Sequence, residues 1–277
     1  MLLAVDVGNT NILFALADAH GIRSRWRIKT DPQRTADEYA VWLYQLMQME
    51  GIARDRVRDV IIATVVPQAL FHLRGLARRM FGAEPLVVGA PGVETGMDIR
   101  LPLPSEVGAD RIVNAVAARA EHGPPLVVLD FGTATTFDVV SADGAYEGGV
   151  IAPGINLSMD ALYRAAARLP RIAVEPPPEG QGVIGKGTVH AMQSGVFWGY
   201  VGLVEGLVAR IRAELGGSAR VIATGGLSAM FGRHTAVIDH VDPDLTVKGL
   251  IRIHALNRGA DALLDAPAPA GPGGARS

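Results

Sequence analysis

The same short sequence pattern occurs twice in this chain, 124 residues apart. An apolar run is followed by Asp, any residue and Gly, first at residues 6–8 and again at residues 130–132. Hydroxyl residues and a second strand-like segment come after each copy, at residues 12–16 and 136–140. Internal repetition of this kind predicts that the chain contains the same supersecondary unit twice.

Each copy of this pattern carries the groups that a polyphosphate with its metal ion requires. Asp6 and Asp130 follow predicted strands and offer carboxylates of the kind that hold hydrated Mg²⁺. Gly8 and Gly132 let backbone N–H groups approach an anion, and neighbouring Thr hydroxyls add donors. Two such turns facing each other predict a phosphotransferase. Taken singly, the first turn is equally typical of an ordinary hairpin, and the second copy favours the functional interpretation.

The composition is that of an ordinary globular protein without bulk charge for a polyanion. Of the 277 residues, 49% are hydrophobic and 19% are charged, and the net charge is −2. We therefore expect no nucleic-acid partner and no membrane partner. The absence of Cys excludes disulfides, thiolate metal ligands and Cys nucleophiles, and it favours a cytoplasmic location. No apolar stretch reaches the roughly 20 residues of a membrane span, and Asp6 interrupts the apolar start, so no signal peptide is expected.

The apolar periodicity predicts the same order of elements in both halves. In the first half, strands and helices are predicted at residues 2–7, 11–17, 24–29, 36–49 (helix), 60–66, 68–80 (helix), 86–88 and 108–120 (helix). In the second half, they are predicted at 126–130, 135–140, 145–151, 156–167 (helix), 189–215 (helix), 221–223 and 244–263 (helix). Thr35 and Glu38 form the capping-box pattern of the first helix. This order favours the α/β class with two similar domains and a ligand cleft between them.

The two predicted domains comprise residues 1–118 and residues 119–263. A Pro-rich linker is expected at residues 175–179. Residues 264–277 are rich in Pro, Ala and Gly, cannot form a core, and are predicted to be a disordered tail.

A helix between the two turns begins with Gly108, Ala109, Asp110 and Arg111. Asp at a helix N-terminus is usually a cap or a partner of the helix dipole, and an adjacent Arg is usually part of a surface ion pair. The alternative is that Asp110 accepts a proton from a substrate hydroxyl while Arg111 binds an anionic group of that substrate. The residues alone favour the cap.

Two further motifs gain meaning only beside the paired turns. Residues 224–226, Thr-Gly-Gly, follow a strand, and their Gly residues would let an adenine or a ribose pack against the backbone. Lys186 and Thr188 stand at the start of the long second-half helix, where they can touch a substrate.

Together these motifs resemble those of the type III pantothenate kinases, members of the actin-like, acetate and sugar kinase superfamily. The resemblance covers about residues 1–255. It rests on motifs in order at residues 6–11, 63–67, 108–111, 130–135, 148–154, 185–188, 191–195 and 224–226. So many motifs in one order are specific at the level of the family.

The resemblance implies a fold of two similar actin-like (ribonuclease H-like) domains, each a mixed sheet flanked by helices. It implies transfer of the γ-phosphate of ATP to the primary hydroxyl of pantothenate, the first step of coenzyme A synthesis. It also implies a homodimer that uses Mg²⁺ and a monovalent cation, K⁺ or NH₄⁺.

The resemblance further implies roles for individual residues. The ATP-binding residues would be Asp6, Val7, Gly8, Asn9, Thr10, Asn11, Ile12, Leu13 and Thr133. Asp110 would be the catalytic proton acceptor, Asp130 would bind the monovalent cation, and Asp6 would hold Mg²⁺ through water. The pantothenate site would be formed by Gly108, Ala109, Asp110, Arg111 and Thr188.

Two positions depart from the family pattern. Many members carry Tyr nine residues before the catalytic Asp, and here that position is Leu101. A Tyr hydroxyl contact with pantothenate is therefore absent or supplied by another residue. Gly187 also replaces a residue that is more commonly polar.

Two alternative functions remain at this point. One is a kinase of the same fold that acts on another small hydroxylated acid or sugar; the short chain, without an inserted substrate domain, disfavours a large sugar kinase. The other is a catalytically silent regulatory relative. The joint presence of Asp6, Asp110 and Asp130 disfavours a silent relative, as does the lack of a basic stripe for DNA.

Overall fold

The computed structural model describes residues 1–166, 169–178, 180 and 182–259. Each half of the chain forms one five-stranded sheet. The strands of the first sheet are β1 Leu2–Val7, β2 Asn11–Asp18, β3 Gly21–Lys29, β4 Asp59–Thr64 and β5 Leu86–Val87. Those of the second are β6 Leu126–Phe131, β7 Ala134–Val140, β8 Tyr146–Pro153, β9 Arg220–Gly225 and β10 His240–Val241.

The helices connect these strands and cover the sheets. They are α1 Ala36–Met49, α2 Pro67–Leu76, α3 Ala109–His122, α4 Ile155–Ala165, α5 Thr188–Glu214, α6 Ser228–Phe231 and α7 Leu245–Arg258. Short 3₁₀ turns lie at Arg54–Arg56 and Pro104–Glu106, and a π-helical segment at Ala77–Phe81 extends α2. No helix within the described ranges combines the length and the apolar character needed to cross a membrane.

The two sheets have the same topology. The strand order is β3-β2-β1-β4-β5 in the first sheet and β8-β7-β6-β9-β10 in the second, read from the corresponding edge. In both sheets the first three strands in the chain pair antiparallel, and the last two are parallel to the central strand. The predicted α/β fold with a duplicated unit is therefore confirmed.

Most predicted elements lie within a few residues of the observed ones. The capping box is confirmed, since Thr35 N donates to Glu38 Oε2 at 2.7 Å and Glu38 N donates to Thr35 Oγ1 at 3.3 Å. The helix predicted over residues 68–80 is instead an α-helix that ends at Leu76 and continues in the π-helical segment. Two short elements, α6 and β10, were not predicted, because four residues and two residues are too few to show a period.

The domain boundary predicted after residue 118 falls inside α3, which continues to His122. The division into two domains otherwise stays a prediction. The last residues of the helix predicted to end at 263, and the predicted tail at 264–277, lie outside the described residues. Of the predicted linker, residues 175–178 are described and are neither helix nor strand.

The core is divided into three parts by the two sheets. Residues of α1 and α2 pack on the outer face of the first sheet, and residues of α5 and α6 pack on the outer face of the second. Between the two sheets lies a central core to which α3 and α7 contribute. All seven residues from Ile112 to Ala118 in α3 are buried, as expected for a helix covered on every side.

The two central helices occupy corresponding places in the duplicated halves, since each follows the last strand of its sheet. They approach closely at Gly249 of α7, where a Cβ atom would lie 2.1 Å from the carbonyl oxygen of Val113 in α3. Only a residue without a side chain fits at that distance. This contact fixes the position of α3, which also carries the residues 108–111 of the predicted site.

We expect Gly249→Ala to destabilise the protein by about 1–3 kcal/mol, because the added methyl group overpacks the crossing and pushes α3 away from α7. Chemical denaturation measures this change. The matched control is Gly202→Ala in α5, where the added methyl would meet no atom within 4 Å. That control should be neutral or stabilising, since Ala favours a helix over Gly by up to about 1 kcal/mol. Equal stability of the two variants would contradict the close crossing.

Candidate active site

Two carboxylates face the space between the sheets because of the alternation of side chains along a strand. In β1, Leu2 and Ala4 point into the central core, so Asp6 two positions later lies on the same face. In β6, residues 126 and 128 do the same, and Asp130 follows them. The two predicted strand-end carboxylates therefore lie on the inner faces of the two sheets.

The turns that follow these strands contact each other. Gly8 N donates to the carbonyl oxygen of Asn11 at 3.0 Å, and Gly132 N donates to that of Ala134 at 3.0 Å, so both turns are closed by a backbone hydrogen bond from the Gly. The hydroxyls of Thr10 and Thr133 lie 2.7 Å apart. The two copies of the repeated motif are therefore in contact, although their Thr residues are 123 positions apart in the chain.

The other residues predicted to bind ATP, between positions 7 and 13, lie in or beside the first turn. Asn9, Thr10 and Asn11 are exposed, whereas Val7 and Ile12 are buried and hold the two strands together. Leu13 pairs with Asp6 in the register of the hairpin. The exposed residues of the turn are therefore the ones that a ligand can reach.

A third carboxylate, Asp110, enters from the first turn of α3. Gly108 is the N-cap of this helix, so Asp110 is not the cap residue itself, although its Oδ1 accepts a hydrogen bond from Arg111 N at 2.8 Å. A Cβ atom at Gly108 would lie 2.6 Å from Asp110 Oδ1, so Gly108 leaves the room that the carboxylate occupies. Burial raises the pKa of Asp110 above its ordinary value, while the Arg111 hydrogen bond and charge oppose the shift.

Neighbouring carboxylates and burial raise the pKa values of Asp6 and Asp130. The pKa of Asp6 is raised to about 8, first by burial and then by the negative charges of Asp110 and Asp130. The pKa of Asp130 is raised to about 7 by burial, by Asp110 and by Asp138, and it is partly lowered by Asn114. Because these pKa values are higher in the folded protein than in the unfolded chain, ionisation of the two carboxyl groups lowers the free energy of unfolding as the pH rises from about 4 towards 8. A bound cation would offset that effect.

One buried carboxylate oxygen of this cluster lacks a hydrogen-bond partner among the described residues. Asp6 Oδ1 is buried and receives no hydrogen bond from the described residues. A buried carboxylate oxygen without a donor is costly unless a ligand satisfies it. Asp6 therefore fits a cation or a water molecule that a cation orders.

The structure adds Asn114 to the site, a residue that the sequence reasoning missed. Asn114 lies one turn after Asp110 in α3 and is 1% exposed. Its Nδ2 donates to Asp130 Oδ2 at 3.2 Å, and its Oδ1 accepts from Thr246 Oγ1 in α7 at 2.7 Å. The signal in the sequence was a single amide within the otherwise apolar run from residue 112 to residue 118.

Arg111 is held by a carboxylate that was also missed. Its Nε donates to Asp138 Oδ1 in β7 at 2.6 Å. Asp138 is fully buried, on the same inner face as Asp130, and its pKa is raised by burial while Arg111 opposes the shift. The first residues of α3 are thus tied to the second sheet.

The glycine motif at the end of β9 supports Asp130. Gly225 has a φ of +88°, and a Cβ atom there would lie 2.4 Å from Asp130 Oδ1 and 2.6 Å from the carbonyl oxygen of Phe131. Thr224 is the register partner of Asp130. The motif therefore makes room for the carboxylate at the end of β6, whereas its predicted contact with a nucleoside stays a prediction.

Thr188 has no observed link to the other predicted site residues among the residues that the structure describes. It is the first residue of α5 and is exposed. Among the described residues, no hydrogen bond or ion pair joins Thr188 to Asp110 or Arg111. Its role in the substrate site stays a prediction.

Two other features of the described surface lie outside the carboxylate cluster. A pocket of about 410 Å³ is lined by residues of α1, α2 and the π-helical segment, among them Phe71 and Arg74. Glu121, His122 and Asp242 have metal-ligating atoms within 4.8 Å of one another. The ammonium of Lys248 already bridges Glu121 and Asp242, at 2.9 and 2.6 Å.

We expect Asn114→Ala to raise the pKa of Asp130 above its value of about 7, because the amide donor that favours the ionised form is lost. Carboxyl ¹³C NMR titration of the metal-free protein measures the shift. Thr246→Val is the control, since it removes the other partner of Asn114 and leaves the bond to Asp130 in place. An unchanged Asp130 titration in Asn114→Ala would show that this hydrogen bond has no electrostatic effect.

Comparison with known proteins identifies relatives over almost the whole chain. Residues 2–210 match the family model described as type III pantothenate kinase. A type III pantothenate kinase of Maricaulis maris is 55% identical over 261 residues, 94% of this chain and 100% of the relative. One of Paramagnetospirillum magneticum is 58% identical over 257 residues, 93% of this chain and 98% of the relative.

Solved structures show the same fold at much lower identity. A protein of Campylobacter jejuni described as a Baf family transcriptional activator matches with a TM-score of 0.59 and 19% identity, covering 92% of this chain and 98% of that one. A protein of Sinorhizobium meliloti described as a 2-dehydro-3-deoxygalactonokinase matches with a TM-score of 0.53 and 13% identity, covering 92% and 96%. The fold of two actin-like sheets is thereby confirmed.

Proposed function

The chain belongs to the type III pantothenate kinase family, and we propose that it transfers the γ-phosphate of ATP to the primary hydroxyl of pantothenate. The product is 4′-phosphopantothenate, and the reaction is the first step of coenzyme A biosynthesis. One observation carries the proposal beyond membership of the family. Asp110 converges with the strand-end carboxylates Asp6 and Asp130 beside two turns that touch through Thr10 and Thr133.

The ATP phosphates bind at the exposed part of the first turn and at Thr133. Asn9, Thr10 and Asn11 are exposed there, and they offer the Thr10 hydroxyl and two side-chain amides. Phosphoryl transfer asks little covalent chemistry of a protein, so orientation of the phosphates and neutralisation of their charge account for most of the catalysis. Since the two Thr hydroxyls now satisfy each other, a phosphate oxygen between the turns would replace their mutual hydrogen bond.

The carboxylates fit two kinds of cation. Asp6, with its unpartnered Oδ1, would hold Mg²⁺ through water, and Asp130, kept in place by Asn114, would bind K⁺ or NH₄⁺. When bound, these ions supply positive charge against the phosphate oxygens. They would also relieve the repulsion that raises the pKa values of both carboxyl groups.

Asp110 orients the attacking hydroxyl and accepts its proton. A general base works best when its pKa is closer to the working pH than that of an ordinary carboxyl group, and burial raises the pKa of Asp110 in that direction. Gly108 and Ala109 precede it at the start of α3 and form the wall of the pantothenate site, and Arg111 binds the carboxylate of pantothenate. Thr188 completes this site, and Leu101 stands where many relatives have Tyr.

A second copy of the chain would cover an apolar surface in the second half. We define this α4–α5 surface by exposed apolar residues on β8, on α4, before α5 and on α5: Ile151, Leu157, Leu162, Tyr163, Val183, Ile184, Val189 and Trp198. Ile184 is 77% exposed and Ile151 is 63% exposed. Exposed apolar side chains that adjoin one another mark an interaction surface, and Thr188 directly precedes Val189 in the chain. A homodimer formed there would place the partner beside the substrate site.

We also propose a cytoplasmic location, which the lack of Cys favours.

We expect ADP release that depends on pantothenate, requires Mg²⁺ and increases with K⁺ or NH₄⁺ relative to Na⁺. A coupled assay with a panel of small hydroxylated acids and sugars measures it. Turnover with another member of the panel but not with pantothenate would indicate a different kinase. ATP binding without any turnover would indicate the silent relative.

We expect Asp110→Asn to lower kcat by about 10²- to 10⁴-fold, the usual contribution of a general base, and to leave the Kd for ATP within a few-fold. Steady-state kinetics and calorimetric titration measure the two quantities. Glu106→Gln is the control, because it neutralises an exposed carboxylate just before the helix. Near-normal turnover of Asp110→Asn would exclude the assigned role.

A further inference from the structure

We propose that Asp138 is a positioning residue that fixes the guanidinium of Arg111. In this orientation the two Nη atoms of Arg111 bind the carboxylate of the acceptor substrate. The inference rests on the proposed function, in which Arg111 binds that carboxylate. It adds Asp138, which lies in the second sheet 27 positions after Arg111, as the residue that determines the orientation of the Arg111 guanidinium.

The carboxylate of Asp138 is held on three sides. Its Oδ1 accepts from Arg111 Nε at 2.6 Å and from the Tyr146 hydroxyl at 2.6 Å, and its Oδ2 accepts from Thr136 Oγ1 at 3.0 Å. Asp138 and Tyr146 are both fully buried. With three donors around a carboxylate that has no exposed surface, the Asp138 side chain has one orientation available.

Arg111 is therefore oriented by its inner edge. Only Nε takes part in the hydrogen bond to Asp138, and within the described ranges no hydrogen bond uses the two Nη atoms. Its Cζ also lies 5.9 Å from the centre of the Tyr146 ring, and 17% of its side chain is exposed. A guanidinium fixed at Nε and open at both Nη atoms is arranged to bind a carboxylate with two parallel hydrogen bonds.

A purely structural role does not explain this arrangement well. Replacing a buried ion pair by apolar residues of similar size is often neutral or stabilising, so a buried Asp–Arg pair is weak evidence for a role in stability. Arg111 directly follows Asp110 in the chain, and Asp110 Oδ1 accepts a hydrogen bond from Arg111 N. The orientation of Arg111 therefore also sets the distance between the bound carboxylate and the reacting hydroxyl. Asp138 thus specifies an acceptor that carries a negative charge at a fixed distance from its hydroxyl.

The test is Asp138→Asn in the full chain. We expect the KM for pantothenate to rise about 10- to 100-fold while kcat and the KM for ATP stay within about threefold, since binding of one substrate group is lost. Tyr146→Phe, which removes one anchor and keeps the Asp138–Arg111 pair, should give a smaller rise. The ¹⁵N-edited signal of Arg111 Nε–H, shifted by its hydrogen bond, should be retained in Tyr146→Phe and lost in Asp138→Asn.

The matched control is Asp143→Asn. Asp143 lies on the loop after β7 and forms an exposed ion pair with Arg100. The exposed fraction is 57% for the Asp143 side chain and 45% for the Arg100 side chain. That variant should leave every kinetic constant unchanged. It separates the effect of position from the effect of losing an Asp–Arg pair.

Three outcomes would overturn the inference. A lower stability with an unchanged KM for pantothenate would make the pair structural only, and a lower KM would show that Asp138 weakens the charge of Arg111. If Asp138→Asn does not fold, an unchanged KM for pantothenate in Tyr146→Phe decides against the inference. Failure of the wild-type protein to phosphorylate pantothenate is a separate result, which contradicts the proposed function itself.

Discussion

Negative charges that meet in a partly dehydrated space repel one another, and the centre of this protein is arranged around that repulsion. Asp6, Asp110 and Asp130 come from the first sheet, the central helix α3 and the second sheet. The charges of Asp110 and Asp130 raise the pKa of Asp6, and that of Asp110 also raises the pKa of Asp130. Arg27 and Arg111 offset only part of this effect. Such a cluster persists in a folded protein because strands and helices fixed by their own cores hold it. The rigidity of the surrounding layers keeps the three carboxylates together.

Much of the fold was predictable, because the repeated elements carry a local period. Unbroken apolar runs predicted both β1 and β6. Because side chains alternate between the two faces of a strand, Asp6 and Asp130 share an inward face with Leu2 and Leu126. The capping residues Thr35 and Glu38 predicted the start of α1 to the residue. The end of α2 was not predictable in the same way, because the change to a π-helical segment at Ala77 leaves the apolar pattern almost unaltered.

The candidate site was predictable only where a motif carried its chemistry in adjacent residues. Asn114, Asp138 and Tyr146 stand alone in apolar or alternating segments, and their partners are 16, 27 and 8 positions away. Nothing local distinguishes such residues from satisfied core polar groups. The duplication also conceals a difference, since α3 and α7 are corresponding helices, yet only α3 begins with an Asp-Arg pair. Symmetry therefore predicted the frame of the site and not the side chains that complete it.

The central packing of α7 has a consequence for the order in which the chain can mature. This helix follows every other described element in the sequence, and it contributes Leu250 and Ile253 to the core that the first strands and α3 share. Its Thr246 also holds Asn114, which holds Asp130. A nascent chain can form the outer layer of the first sheet early, because α1 and α2 precede the middle of the sequence. The carboxylate cluster between the sheets, however, can reach its final arrangement only after α7 has been synthesised and has packed against α3.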